Sequence, residues 1–172
     1  RSPFYPEGGG QVGDRGSLTA DSGETYQVLD TKKENNLIVH VLDRVPQGNS
    51  FQAQVNVSLR ASSARNHSAT HLMHEALREV LGTHVEQKGS LVKPEGLRFD
   101  FSHFQKVTDE ELARIEALVQ SRILANHPCQ EHRDMAIADA QAAGAMMLFG
   151  EKYGDTVRMI EFGSSKELCG GI

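Results

Sequence analysis

The period of the hydrophobic pattern changes near residue 60. Before that point apolar positions follow the two-residue spacing of strands. Tyr26, Val28 and Leu29 come first, then the run Leu37-Ile38-Val39-His40-Val41-Leu42. Phe51-Gln52-Ala53-Gln54-Val55-Asn56-Val57 follows, and its strict alternation predicts one wet face. Residues 32–36 and 46–49 carry turn chemistry. Short antiparallel strands linked in this way predict a small barrel-like unit over residues 1–60. Beyond it, Leu72, Ala76, Leu77, Val80 and Leu81 keep helical spacing, with Ser62-Ser63 as the cap and Gly82 as the stop. Residues 85–92 read as strand or loop and Pro94-Glu95-Gly96 as a turn. Leu97-Arg98-Phe99-Asp100-Phe101 alternates cleanly, which predicts a hairpin laid against the helix. Thr108-Asp109-Glu110-Glu111 is a capping box, and Leu112, Ile115, Leu118, Val119 and Ile123 follow it before Asn126 and Pro128 end the helix. A short helix over 139–143, a strand over 156–162 and a loop from Gly163 to Cys169 complete the pattern. The expected class is α+β, with the barrel-like unit followed by an α/β domain over residues 61–172.

Composition narrows this little. No apolar run approaches the roughly 18 residues needed to cross a membrane, and no basic-then-apolar leader opens the sequence. The absence of an initial methionine and the finish at Gly170-Gly171-Ile172 suggest a piece of something longer. Two cysteines, Cys129 and Cys169, are too few for a disulfide framework, so a reducing cytoplasm is the expected compartment. Cys129 is expected to be a half-buried structural thiol. The net charge of −5 argues against indiscriminate nucleic-acid binding. Arg60, Arg65, Lys88, Lys93 and Arg98 nevertheless form a local basic set around the first helix.

The candidate chemistry lies in Arg65-Asn66-His67-Ser68-Ala69-Thr70-His71-Leu72-Met73-His74. At about 100° per residue, His67, Thr70, His71 and His74 share roughly one quadrant of the helix. Imidazoles at i and i+4 are a common way to offer two nitrogens to one zinc ion; the same spacing also arises where two rings simply pack. The glycine-rich stretch from Phe4 to Asp14 has no Gly-Lys-Ser/Thr ending and is not a phosphate-cradling loop. Its simplest reading is a strand and tight turn, and contact with a substrate is the competing one. His40, in an apolar run, is expected to pack.

Several segments together resemble a known family. These are Phe4-Tyr5-Pro6-Glu7-Gly8-Gly9-Gly10-Gln11-Val12-Gly13-Asp14, Asn66-His67-Ser68-Ala69-Thr70-His71-Leu72, Gln87-Lys88-Gly89-Ser90 and Leu97-Arg98-Phe99-Asp100-Phe101. Leu148-Phe149-Gly150-Glu151-Lys152-Tyr153-Gly154-Asp155 and Glu167-Leu168-Cys169-Gly170-Gly171 complete the set. In this order they resemble the editing region of bacterial alanyl-tRNA synthetases, which is related to free-standing alanyl-tRNA editing proteins and to the editing part of threonyl-tRNA synthetase. The resemblance implies a β-barrel leading into an α/β editing domain that hydrolyses mischarged Ser-tRNA(Ala) and Gly-tRNA(Ala). It implies one zinc ion on His67, His71 and Cys169. Ile172 stands where the family motif has threonine, and the motif's final histidine would fall beyond it, so three of the four family ligands are expected here. The implied partners are the acceptor end of tRNA(Ala) and the rest of a parent alanine–tRNA ligase, with no membrane.

Ester hydrolysis needs a positioned water and stabilisation of the oxyanion. Thr70, on the histidine face, is the candidate to orient a serine hydroxyl; bonding to its own helix is the alternative. Gln87 is the candidate to hold the water or the terminal ribose, against a plain loop position. Arg65, Lys88 and Arg98 are candidates for the phosphates, as solvated charges otherwise, and Gln11 joins the substrate-facing set. His74 has no matching ligand role and is expected to pack. A second function class remains open, a tRNA-binding or structural module without turnover because the fourth ligand is missing.

Overall fold

Alternation in the first part of the chain produces an antiparallel sheet. In the computed structural model, which describes residues 2–147 and 153–172, its strands are β1 (Gly16–Ala20), β2 (Thr25–Glu34), β3 (Leu37–Leu42) and β4 (Phe51–Val55), in the order β3-β2-β1-β4. Asn35 and Asn36 both take positive φ, at 47° and 67°, which suits a two-residue hairpin loop between β2 and β3. The turn expected over 32–36 is therefore only two residues long, and strand pairing continues to Glu34 and Leu37.

The chain is α+β, but among the described residues no sheet closes into a barrel. β3 and β4 are both edges, and four strands are fewer than the five of even a partly open small barrel. The barrel-like expectation is corrected to an open sheet.

Cα packing divides the chain into two compact units. The first comprises Arg1–His67, Ser90–Arg98 and Gly171–Ile172. Its core is Phe4, Leu18 and Val28, with Leu42, Phe51, Ala53 and Val55 packed around them. The glycine-rich segment is held here by its own backbone. Val92 N–H donates to Gly10 O at 2.7 Å and Val12 N–H to Val92 O at 3.0 Å, so Gln11 bridges Val92 in parallel fashion. Buried Asp14 accepts from the Tyr5 N–H at 2.6 Å and is ion-paired with Arg60.

Arg60 stands near the start of helix α1 (Val57–Leu81). Asn56, not Ser62-Ser63, opens this helix: its Oδ1 accepts from the Leu59 N–H at 3.1 Å. The strand-like alternation of Phe51 to Val57 ran into the cap and hid the boundary. Gly82, at φ 116°, ends the helix as expected.

The second unit comprises Ser68–Gly89 and Phe99–Gly170. Ala76, Leu77, Val85 and Ile115 form one core, with Phe99, Phe101, Leu118 and Val119 against it. β5 (Gln87–Lys93) and β6 (Gly96–Phe101) form the expected two-stranded sheet, and Phe99 and Phe101 carry its packing on the α1 residues Ala76 and Leu77. α2 (Asp109–Ala125) has the predicted capping box at Thr108 and Glu111 and ends at Asn126 in the left-handed region. Its apolar stripe is narrower than predicted, because Leu112 and Ile123 are exposed.

A three-stranded antiparallel sheet follows, β7 (Gln130–Ala136), β8 (Thr156–Phe162) and β9 (Ser165–Leu168), in the order β7-β8-β9, with α3 (Ile137–Ala142) beside it. Ala140, Val157, Met159 and Leu168 make its core. β7 and β9 lie outside the expected elements, and Cys169 directly follows the paired strand β9 where a continuous loop from Gly163 is expected. Cys129, expected half-buried, is exposed. The family-like motif starting at Leu148 lies, over 148–152, outside the described residues.

The glycine-rich segment can be tested at Gly10. This residue sits at φ 79°, and a Cβ there would collide with Ser90. Gly10→Ala is expected to lower stability by about 1–3 kcal/mol, read as a lower urea midpoint.

Candidate metal centre

Helix α1 presents its histidines on one face because they recur at three- and four-residue spacing. His67 is 8% exposed, His71 7% and His74 1%, and Thr70 between them is 6% exposed. Each ring is held through its Nδ1. His67 Nδ1 lies 2.6 Å from Oε1 of Gln11. In the second unit, His71 Nδ1 lies 2.5 Å from Oε2 of Glu167 and His74 Nδ1 3.0 Å from Oε1 of the same carboxylate. A carboxylate or amide oxygen can only accept, so each Nδ1 carries the proton. Nε2 is therefore the nitrogen through which His67 and His71 could each ligate a metal.

The candidate ligand set includes sulfur. His67, His71 and Cys169 each offer one ligand atom, and these three atoms all lie within 4.8 Å of one another. A tetrahedral zinc ion, with bonds near 2.0 Å to nitrogen and 2.3 Å to sulfur, holds its ligand atoms roughly 3.3–3.8 Å apart, so the cluster fits after a contraction of about 1 Å at its widest. Two imidazoles with engaged Nδ1 protons and one thiol are the donor chemistry such an ion takes.

Cys169 is fixed by the strand that carries it. Its N–H donates to Arg158 O at 3.1 Å, and Arg158 Nη1 donates back to Cys169 O at 2.7 Å. Leu168 N–H donates to Met146 O at 3.0 Å, which ties the strand end on its other side. Gly171 explains one glycine of the terminal motif, since any Cβ there would run into the His67 ring.

The electrostatics favour a cation. Burial disfavours the charged form of His71, but the adjoining Cys169 and Glu167 outweigh it and push the ring up to about 10. Burial likewise pushes Glu167 up, and the hydrogen bonds from His71 and His74 reverse this, so its carboxyl sits below the usual range. A metal taken by His71 Nε2 must displace a proton there.

The other candidates fall in different settings. Gln11, expected to face substrate, is 1% exposed with its Oε1 committed to His67, because the backbone pairing with Val92 turns it inward. Gln87 is half-buried at the start of β5. Arg65 and Lys88 are exposed, with Arg65 donating to Ser62 Oγ at 3.0 Å and Lys88 to Glu86 at 2.9 Å. Arg98 is exposed on β6. His74 is packed as expected, though through a polar bond as well as its contact with Phe99. Sequence pattern alone does not single out Glu167. It lies two positions before Cys169, and the two-residue period of a strand puts such positions on one face.

Residues 1–65 match the family model described as class II (A) tRNA synthetases. Over 173 residues the chain is 62% identical to the alanine–tRNA ligase of Parabacteroides distasonis, covering 99% of this chain and 20% of that protein. It is 60% identical over 181 residues to the enzyme of Flavobacterium psychrophilum and 58% over 172 residues to that of Porphyromonas gingivalis, with the same coverage of 99% and 20%. By sequence, this chain is related to alanine–tRNA ligases. The resemblance to alanyl-tRNA synthetases read from the motifs is borne out, and the chain spans about a fifth of the length of these curated relatives. No helix among the described residues is long and apolar enough to cross a membrane.

His67→Ala and His71→Ala are each expected to lower zinc stoichiometry in atomic absorption of the dialysed protein. An unchanged stoichiometry would show that the substituted ring is not a ligand.

Proposed function

We propose that this chain is the editing region of an alanyl-tRNA synthetase and hydrolyses the ester of tRNA(Ala) mischarged with serine or glycine. Residues 61–172 carry the chemistry and residues 1–60 support it. The observation that carries this reading is the convergence of His67, His71 and Cys169 in a chain whose relatives join alanine to tRNA.

Such a ligase has a selection problem. A pocket that admits the methyl of alanine gains only about 1–3 kcal/mol against an analogue differing by a methylene or a hydroxyl. Serine is larger than alanine, so a second site cannot spare alanine by size. It can instead satisfy the serine hydroxyl, and sites built that way discriminate by about 10⁴–10⁵-fold in favourable cases.

The residues are assigned accordingly. Thr70, on the histidine face, hydrogen-bonds the serine side chain and orients the ester. Gln87 holds the attacking water or the terminal ribose. Arg65, Lys88 and Arg98 meet the phosphates of the acceptor end, and Gln11 acts from behind His67. His67, His71 and Cys169 would hold zinc, which supplies Lewis acidity and a fixed positive charge beside the scissile ester. The rest of a parent ligase, with its ATP-dependent synthetic site, supplies tRNA identity.

With zinc present, serine release from Ser-tRNA(Ala) is expected to exceed alanine release from Ala-tRNA(Ala), and Thr70→Val should reduce serine release at least tenfold with alanine release unchanged. Background release from both substrates with metal bound would instead favour a tRNA-binding module without turnover.

A further inference from the structure

We propose that Glu167 is a positioning residue, a buried carboxylate that takes the Nδ1 protons of both His71 and His74 and so presents the Nε2 lone pair of His71 to a divalent cation. This rests on the metal centre of the proposed function and goes beyond its ligand set.

The geometry assigns each oxygen its own ring. Oε2 faces His71 Nδ1 at 2.5 Å and Oε1 faces His74 Nδ1 at 3.0 Å. A carboxylate held at both oxygens cannot turn about its terminal bond without breaking one contact. His74 therefore acts on His71 through Glu167. His74 is 1% exposed, lies against Phe99 with ring centroids 5.1 Å apart, and has an Nε2 with no hydrogen-bond partner among the described residues. A proton on that Nε2 would be a buried donor without an acceptor, and the Nδ1 lone pair would then face a carboxylate. Both faults are removed when the proton is on Nδ1.

The placement of four residues in the chain supports the same division of labour. Glu167 in β9 and Cys169, the residue that follows the strand, are two positions apart, and His71 and His74 three apart on α1. One strand end thus supplies a sulfur ligand and the acceptor that aims the imidazole beside it. A clamp that served the fold alone would need the carboxylate and both rings, but it would be indifferent to which nitrogen of His71 faced the cation.

The test uses the zinc-loaded protein, with affinity measured by competition against a chromophoric chelator and imidazole protons followed by long-range proton–nitrogen NMR. His71 is expected to bind through Nε2, with a slowly exchanging proton on Nδ1 of both His71 and His74. Glu167→Gln keeps the shape but has one acceptor oxygen and one amide donor, so it cannot accept from both rings. Zinc affinity is expected to fall about 10–100-fold in this variant and in Glu167→Ala. One of the two Nδ1 protons should leave the slow-exchange spectrum of Glu167→Gln, with its urea midpoint little changed. Glu167→Asp, which keeps two acceptors on a shorter arm, should recover part of the affinity. Coordination of His71 through Nδ1, or zinc affinity within twofold of the unsubstituted chain in Glu167→Gln, overturns the proposal. Failure of the unsubstituted chain to bind zinc defeats this inference and the metal reading together. Failure of ester hydrolysis with zinc bound and the histidine protons as described defeats only the hydrolytic reading.

Discussion

The structure of the candidate centre depends on where the Nδ1 protons of the α1 histidines go. An imidazole offers a metal only the nitrogen its other hydrogen bond leaves free. Gln11 and Glu167 settle that choice for His67 and His71, and neither belongs to the helix. Each must be carried in by a separate piece of backbone. Much of the irregular structure can be understood as the means of carrying them.

The glycine-rich segment is the clearer case. Its glycines let the backbone pass close to Ser90 and Val92, and this approach, rather than contact with a phosphate, turns Gln11 inward. The Asp14–Arg60 pair ties the same segment to the first turn of α1. The β8–β9 turn at Gly163 performs the equivalent task for Glu167 and Cys169. Residues that would be unremarkable loop punctuation in isolation thus fix hydrogen-bond acceptors at a site far along the sequence.

This explains what could be read in advance. Local rules located α1's end at Gly82, the β5–β6 hairpin and the capping box of α2, because each is decided within a few residues. The histidine face was legible for the same reason. The start of α1 was misplaced because Asn56 is both the last alternating strand position and the cap. Strands β7 and β9 were missed because charged residues such as Glu131, Arg133, Lys166 and Glu167 interrupt their apolar pattern. Closure of the first sheet could not be read at all, since it depends on whether two edges meet. Glu167 escaped notice as a charged residue in a short motif, where only its spacing from Cys169 distinguished it.

Charge balance gives a further reason to expect a dication. Isolated buried carboxylates are costly, and they survive where paired and hydrogen-bonded. Glu167 is buried and carries one negative charge, and Cys169 adds a second when it ligates as a thiolate. Protonated His71 offsets only one of these. A divalent cation held by His71 Nε2 would offset both in place of that one proton, with Nδ1 still donating to Glu167. The arrangement that keeps the Nδ1 proton of His71 on Glu167 is therefore also the one that balances charge.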